Sequence, residues 1–140
     1  MRRAGKWIGG ALATCAAVSA VAYVYDQRPV RHIAGILQIA AVPASVSDAR
    51  CESWGFPDTL ETCTFSLRAA DFPKLVQGAA FRQRRVAGNS FGYSGGPELG
   101  PQFEASMLYE ATLPEFKNGR NVRLVTNRDR TKAQVDLWVN

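Results

Sequence analysis

The stretch GYSGG, from Gly92 to Gly96, matches the G-x-S-x-G pattern of a serine-hydrolase nucleophile elbow. In such an elbow a strand ends in a tight turn and a helix follows, so that the serine, here Ser94, projects as a nucleophile. The next residues, PELGP, do not favour a helix, and the single histidine, His32, precedes the serine instead of following it. We therefore predict that the chain is not an enzyme, and we keep a small serine hydrolase as the alternative hypothesis.

Two cysteines, Cys51 and Cys63, follow the apolar N-terminal stretch described below. An even number of cysteines in an exported chain indicates a disulfide bond. The competing interpretation is a zinc site, which needs four ligands, but the chain has one histidine to add to the two thiols. We therefore predict a Cys51–Cys63 disulfide, no metal site and no cofactor.

A basic run of arginines, with aromatic residues on either side, is the candidate binding surface. Arginines and aromatic rings together bind anionic polymers, phosphate groups or acidic protein surfaces. A solvated strand edge, protected from pairing by its charges, is the simpler interpretation of the same residues, and we favour it. The candidate binding residues are Phe81, Arg82, Arg84, Arg85, Phe91 and Tyr93.

The carboxylates do not form a predicted acid–base pair. Glu104 and Glu110 share a face of one predicted strand, but six residues of strand separate them by about 20 Å, beyond the spacing of paired catalytic carboxylates. Asp58 and Glu61 flank a predicted turn, where we expect both to be solvated. We expect His32 to be a helix-surface or membrane-proximal side chain and not a catalytic base.

The N-terminal segment from Trp7 to Tyr25 carries no charged residue. Its nineteen residues are close to the roughly 20 that a helix needs to cross a bilayer, and three basic residues precede it. We predict that residues 1–25 form a signal anchor or a signal peptide. Three fates are compatible with the sequence: retention as an anchor, cleavage after Ala22 at an A-x-A site, or lipidation at Cys15.

All three fates place residues 26–140 outside the cytoplasm. We predict a bacterial inner-membrane protein whose C-terminal domain lies in the periplasm, or a secreted or periplasmic protein if the segment is cleaved. The whole chain has a net charge of +5, but three of its 17 basic residues precede the apolar segment. The remaining excess over 12 acidic residues is too small to predict a nucleic-acid partner.

A disulfide-linked hairpin is the clearest predicted element. The stretch LETCTFSLR alternates Cys63, Phe65 and Leu67 on one face with polar residues, including Thr62 and Thr64, on the other, which is typical of a half-buried strand. The stretch DARCESW is its predicted partner, across the turn GFPDT. A hairpin with this turn places the two cysteines directly opposite each other, with Cα atoms about 4.5 Å apart in a non-hydrogen-bonded pair.

Helical signals occur at two places. Residues 30–40 present an apolar stripe, with Pro29 in the first turn and Pro43 beyond the end. The stretch FPKLVQ predicts a second short helix, capped by Asp71, ended by Gly78, and covering the hairpin with its apolar residues. The predicted stripe consists of Ile33, Ile36, Leu37 and Ala40, and the covering residues are Phe72, Leu75 and Val76.

Two further strand regions follow a long loop. Residues 79–101 are basic and then rich in glycine and proline, so we predict a loop, flexible over residues 87–101. Residues 102–113 alternate as a strand. The stretches NVRLVT and TKAQVDLWV, around the turn NRDR, predict a closing hairpin with Val122 and Leu124 facing the same way as Ala133, Val135 and Leu137.

Strands outnumber helices in this pattern, and no strand–helix–strand alternation is present. We therefore predict an α+β fold over residues 26–140, a small antiparallel sheet with one or two short helices on one face. The predicted function is that of an envelope protein acting as a non-enzymatic binding or interaction module. Its predicted partners are the membrane, through residues 7–25, and an envelope protein or anionic surface.

Overall fold

The computed structural model describes residues 28–54, 60–86, 103–114 and 119–139, and these residues form a six-stranded antiparallel sheet with one short α-helix. The predicted antiparallel sheet is confirmed, and the described part of the chain is mostly sheet. The elements are α1 (Pro29–Leu37), β1 (Ser47–Trp54), β2 (Leu60–Ser66), a 3-10 helix (Ala69–Lys74), β3 (Arg82–Arg85), β4 (Met107–Leu113), β5 (Arg120–Thr126) and β6 (Lys132–Val139).

Two predicted segments lie outside these ranges. The N-terminal anchor or signal segment, residues 1–25, and the glycine-rich loop at 87–101 are not among the described residues. Within the described ranges, no helix has the length and apolar character needed to cross a bilayer.

The sheet has the strand order β1-β2-β6-β5-β4-β3, with every neighbouring pair antiparallel. β6 lies between β2 and β5, so the last strand in chain order joins the first hairpin to the rest of the sheet. The predicted closing hairpin is confirmed as β5 and β6. The inward residues Val122, Leu124, Ala133, Val135 and Leu137 are all buried in the main core.

Helix α1 covers one face of the sheet. Pro29 occupies its first turn, and Gln38 ends it in the left-handed conformation, with a φ of 56° and its backbone N–H bonded to the Ala34 and Gly35 carbonyls. Three of the four predicted stripe residues are buried in the main core: Ile33, Ile36 and Leu37. The fourth, Ala40, is exposed beyond the end of the helix.

The second predicted helix is a 3-10 helix instead, and it begins three residues earlier. Asp71 is not its cap, because Arg68 is the residue at the N-cap position. The side chain of Asp71 instead accepts hydrogen bonds from Ser45 Oγ at 2.7 Å and from Lys74 Nζ at 2.6 Å. Pro73 inside the element lacks the N–H that a longer α-helix would require.

Gly78 does not end this helix, but the fold requires it for another reason. A Cβ atom at this position would lie 2.1 Å from the carbonyl oxygen of Leu37, at the C-terminal end of α1. The chain therefore passes close against the helix end. Phe72 and Leu75, which precede it, are buried in the main core with Val76 partly buried against it, and the ring of Phe72 packs on Tyr109 of β4.

The prediction that β2 is half-buried is wrong. Thr62 and Thr64, expected on a solvated face, are each only 3% exposed. A second apolar cluster lies on this face, formed by Ala105, Leu108 and Val125 with Phe103 and Val86 packed against it. The residues before β4 contribute to this cluster. The sequence predicts a strand over residues 102–113, but β4 begins only at Met107. Regular alternation would place Ala105 on the same face as Tyr109, whereas Ala105 packs with Leu108 in the second cluster.

The prediction of a loop over residues 79–101 is wrong for the basic run, which forms a strand. Residues Arg82–Arg85 form β3, which pairs with β4 at one edge of the sheet. This is the strand edge that was the simpler interpretation of the arginines. The other edge is β1, where the register shifts between Ser47 and Arg50 and Asp48 adopts a φ of 53°.

The predicted disulfide is present. Cys51 lies directly opposite Cys63, with Cα atoms 4.1 Å apart, and an S–S bond joins the two residues. It fastens the edge strand β1 to β2. Because disulfides persist in oxidising compartments, the bond indicates an extracellular or periplasmic location.

We expect replacement of the disulfide by Cys51→Ala with Cys63→Ala to lower the free energy of unfolding by about 2 to 3 kcal/mol, because the bond restricts the unfolded chain. Urea unfolding of the variant and of the oxidised wild type measures the difference. Chemically reduced wild type is the control, since it loses the crosslink but keeps the sulfur atoms in the core. Equal unfolding midpoints for oxidised and reduced protein would contradict this role.

Asp71 makes a second stabilising contribution, which depends on pH. The hydrogen bond from Lys74, followed by those from Ser45 and Arg68, holds the pKa of Asp71 well below its ordinary value of 3.8. An acid with a lowered pKa in the folded state stabilises the fold above its ordinary pKa and loses this effect as the pH falls. We expect Asp71→Asn to lower the thermal midpoint at pH 7 and to match the wild type more closely below about pH 4. A midpoint difference that does not depend on pH would exclude this origin.

Candidate functional site

Strand β3 presents its side chains to solvent along one edge of the sheet. All four of its residues are exposed, and three of them are arginines. Arg82 and Arg84 lie on the same face as Glu110, and Arg84 Nε is 3.6 Å from a Glu110 carboxylate oxygen. Arg85 alternates to the other face, opposite Met107. Positive charge therefore lies on both faces of the same edge.

The other candidate binding residues differ from these arginines. Phe81 is partly buried and packs against the main core, so its ring stabilises the fold beside β3. Phe91 and Tyr93, like Ser94, lie outside the described residues. The structure therefore brings the three arginines together on β3, and it places Phe81 beside them with its ring partly buried against the main core.

A row of polar residues crosses the whole sheet on the face opposite α1. Each member lies directly opposite the next in the strand register, so the row runs from edge to edge through every strand. It ends at the arginine strand, which makes β3 the outer part of a larger polar surface. From β1 to β3 the members are Glu52, Thr62, Asp136, Arg123, Glu110 and Arg82.

Asp136, at the centre of this row, is completely buried. Thr62 Oγ1 donates a hydrogen bond to its carboxylate at 2.9 Å, and Gln134 Nε2 donates another at 3.1 Å. Burial raises the pKa of Asp136, while the hydrogen bonds from Gln134 and Thr62 and the charge of Arg123 partly oppose this change. A carboxylate with this environment costs stability when it is ionised.

Arg123 connects the buried part of the row to the arginine strand. Its side chain is only 12% exposed, and Nε is 3.5 Å from a carboxylate oxygen of Glu110. Its guanidinium carbon lies 4.9 Å from the centre of the Trp138 ring, a cation–π distance. Glu110 therefore lies between two cations, Arg123 on one side and Arg84 on the other.

A separate pair joins α1 to β2. His32 Nδ1 and Glu61 Oε1 form a short hydrogen bond, and the two side chains are 29% and 15% exposed. The expectation of a solvated Glu61 is therefore wrong, because packing of α1 on the hairpin brings it against His32, which lies on the helix with part of its side chain exposed. Glu61 and Cys63 share a strand face, and the Glu61 carboxylate lies within 4.8 Å of the sulfur atoms of Cys51 and Cys63.

Sequence reasoning missed the polar row and the His32–Glu61 pair. Both depend on contacts between distant parts of the chain, such as the Thr62–Asp136 hydrogen bond across 74 residues. The available signal was Asp136, a lone acid in the alternating strand TKAQVDLWV. Of the other carboxylates considered in the sequence, Glu104 is exposed before β4, and Asp58 lies outside the described residues.

Comparisons with protein-family models, with curated proteins and with solved structures found no match to this chain.

We expect Asp136→Asn to raise the thermal midpoint at pH 7, because the amide oxygen still accepts the Thr62 and Gln134 hydrogen bonds without the cost of a buried charge. A raised pKa in the folded state costs stability at high pH, and this cost disappears as the pH falls through the ordinary value of 3.8. The advantage of the variant should therefore shrink on acidification. Asp129→Asn, in an exposed turn, is the matched control, and an Asp136→Asn variant destabilised at pH 7 would contradict this account.

Proposed function

We propose that this protein is an extracytoplasmic, non-enzymatic binding module that contacts an acidic protein surface through strand β3. The observation that carries the proposal is the exposure of Arg82, Arg84 and Arg85 together on one short edge strand. The disulfide supports the oxidising compartment. The apolar segment at residues 7–25 supports an anchor in a bacterial inner membrane or, after cleavage, a periplasmic or secreted domain.

The charge balance at this edge favours an acidic partner. Three arginines lie on β3, and the carboxylate that contacts the strand, Glu110, is shared between Arg84 and the half-buried Arg123. Glu110 therefore neutralises only part of the positive charge on β3. Because guanidinium groups bind carboxylates in a planar, two-pronged geometry, exposed aspartates and glutamates are the matching chemistry on a partner.

The same charges disfavour pairing between two copies of the chain. An edge strand presents unpaired backbone groups that attract another strand, and natural proteins use charged side chains to prevent this. Two β3 strands brought side by side would place like charges next to each other. The edge therefore discriminates against a second copy and in favour of an acidic surface.

We expect Arg84→Glu with Arg85→Glu to abolish capture of the partner in a crosslinked pull-down from native membranes, because the contact surface changes sign. A photoreactive residue at exposed Gln83, on the same strand, limits crosslinking to this edge. Capture by the wild type should also weaken with added salt, since the contact is electrostatic.

The matched control is Arg50→Glu with Arg128→Glu, which changes the net charge equally at exposed positions away from β3. It should retain capture. Unchanged capture by the β3 variant, or equal loss in the control, would overturn the proposal. Crosslinking to anionic lipid alone would assign the edge to the membrane surface and would likewise exclude an acidic protein partner.

A further inference from the structure

The region around the disulfide contains four groups of the types that bind zinc. Cys51 and Cys63 lie opposite each other on β1 and β2, and Glu61 lies two residues before Cys63 on the same strand face. Their ligand atoms all lie within 4.8 Å of one another. His32, from α1, contacts the Glu61 carboxylate through Nδ1.

We propose that Cys51, Cys63, Glu61 and His32 form a zinc-binding site when the disulfide is reduced, so that the oxidised and reduced forms of the protein differ in metal binding. Two thiolates, one imidazole and one carboxylate are a tetrahedral set of the kind that zinc prefers. In a tetrahedral zinc site with bonds of 2.0 to 2.3 Å, neighbouring ligand atoms are about 3.3 to 3.8 Å apart. The Glu61 carboxylate and the two sulfur atoms, all within 4.8 Å of one another, reach these separations by side-chain movements, and His32 joins them through its contact with the Glu61 carboxylate.

The position of each ligand fits this assignment. The Glu61 carboxylate already lies beside both sulfur atoms, and His32 Nδ1 already points at it. A zinc ion bound to both groups takes the place of the His32–Glu61 hydrogen bond. Cys63 is completely buried, whereas Cys51, His32 and Glu61 are partly exposed, so the group has access to solvent on one side.

The oxidation state of Cys51 and Cys63 determines how many zinc ligands the site offers. In the disulfide form neither sulfur is a thiolate, so Glu61 and His32 remain as two ligands, too few for a stable zinc site. The Cys51 sulfur lies 3.6 Å from the Pro29 carbonyl oxygen, and it has no proton to donate while it is oxidised. Backbone hydrogen bonds pair β1 with β2 and β2 with β6, so the strands that carry the two thiols have contacts besides the disulfide to keep them together after reduction.

The reaction requires a dithiol reductant. Its two thiols transfer two electrons to the Cys51–Cys63 bond, which breaks, and they form a disulfide of their own. The reductant's two protons go to the protein thiols. Zinc binding then releases both protons to solvent as the two sulfur atoms become metal-bound thiolates.

Cobalt titration of the full-length chain in mild detergent tests the site, with Cys15→Ser as background so that Cys51 and Cys63 are the remaining thiols. After reduction, we expect one Co²⁺ per chain, the thiolate-to-cobalt charge-transfer absorption of a tetrahedral site, and displacement of cobalt by Zn²⁺. The oxidised protein should show none of these signals. Glu61→Gln and His32→Gln should each weaken binding about 10-fold or more, because each removes a ligand.

Arg128→Gln, in an exposed turn away from the site, is the control and should bind cobalt as the wild type does. No thiolate absorption from reduced, folded protein would overturn the proposal, as would binding unaffected by both ligand variants. If reduction unfolds the chain, circular dichroism provides the measurement: refolding upon addition of zinc supports the site, and a chain that stays unfolded in saturating zinc excludes it. These readouts do not involve a partner, so failure of this site leaves the function proposed for β3 unaffected.

Discussion

The register of β6 is the constraint on which the rest of the fold depends. This strand pairs with β2 on one side and β5 on the other, so its alternation assigns residues to both faces of the sheet. Val135 lies in the apolar core beneath α1, and the next residue, Asp136, lies in the polar row. A slip of one residue would exchange these faces and place a carboxylate in the main core. The hydrogen bond from Thr62 to Asp136 therefore favours one register over its neighbours.

The two faces of the sheet serve different purposes. The face beneath α1 holds the main core, where Phe72 and Tyr109 pack with ring centres 5.1 Å apart. The opposite face combines a small apolar cluster with buried polar groups, and its charged row continues to the exposed arginines of β3. Arg123 lies between the buried polar groups and β3, in contact with Glu110 and with the Trp138 ring. The arginines of β3 therefore interact with groups inside the domain, because Arg84 and the largely buried Arg123 both contact Glu110.

Local features of this fold were predictable from the sequence, whereas features set by distant pairing were not. Cys51 and Cys63 are 12 residues apart, and the alternation around Cys63 was enough to place them opposite each other. Thr62 and Thr64 look like solvated strand residues because nothing nearby in sequence indicates their neighbours on β6, such as Asp136, which lies opposite Thr62 and accepts its hydrogen bond. Asp71 does not cap the helix because the element begins at Ala69, and its carboxylate instead accepts a hydrogen bond from Ser45, 26 residues earlier. His32 and Glu61 likewise meet only because α1 packs on the hairpin. The function itself had no comparable local signal, because no motif in the chain specifies a reaction, a ligand or a partner.

The central position of β6 in the sheet affects the order in which the strands can pair during folding. A chain that is synthesised or exported with its amino end first presents the β1–β2 hairpin and the β4 region before β6 has emerged. The hairpin can close locally, and its cysteines can pair, but β2 and β5 each lack a neighbour until Lys132–Val139 arrives. During that interval two unpaired strand edges face solvent together. The order of strands therefore delays completion of the sheet until Lys132–Val139, which follows the other described strands in the chain, can pair with both β2 and β5.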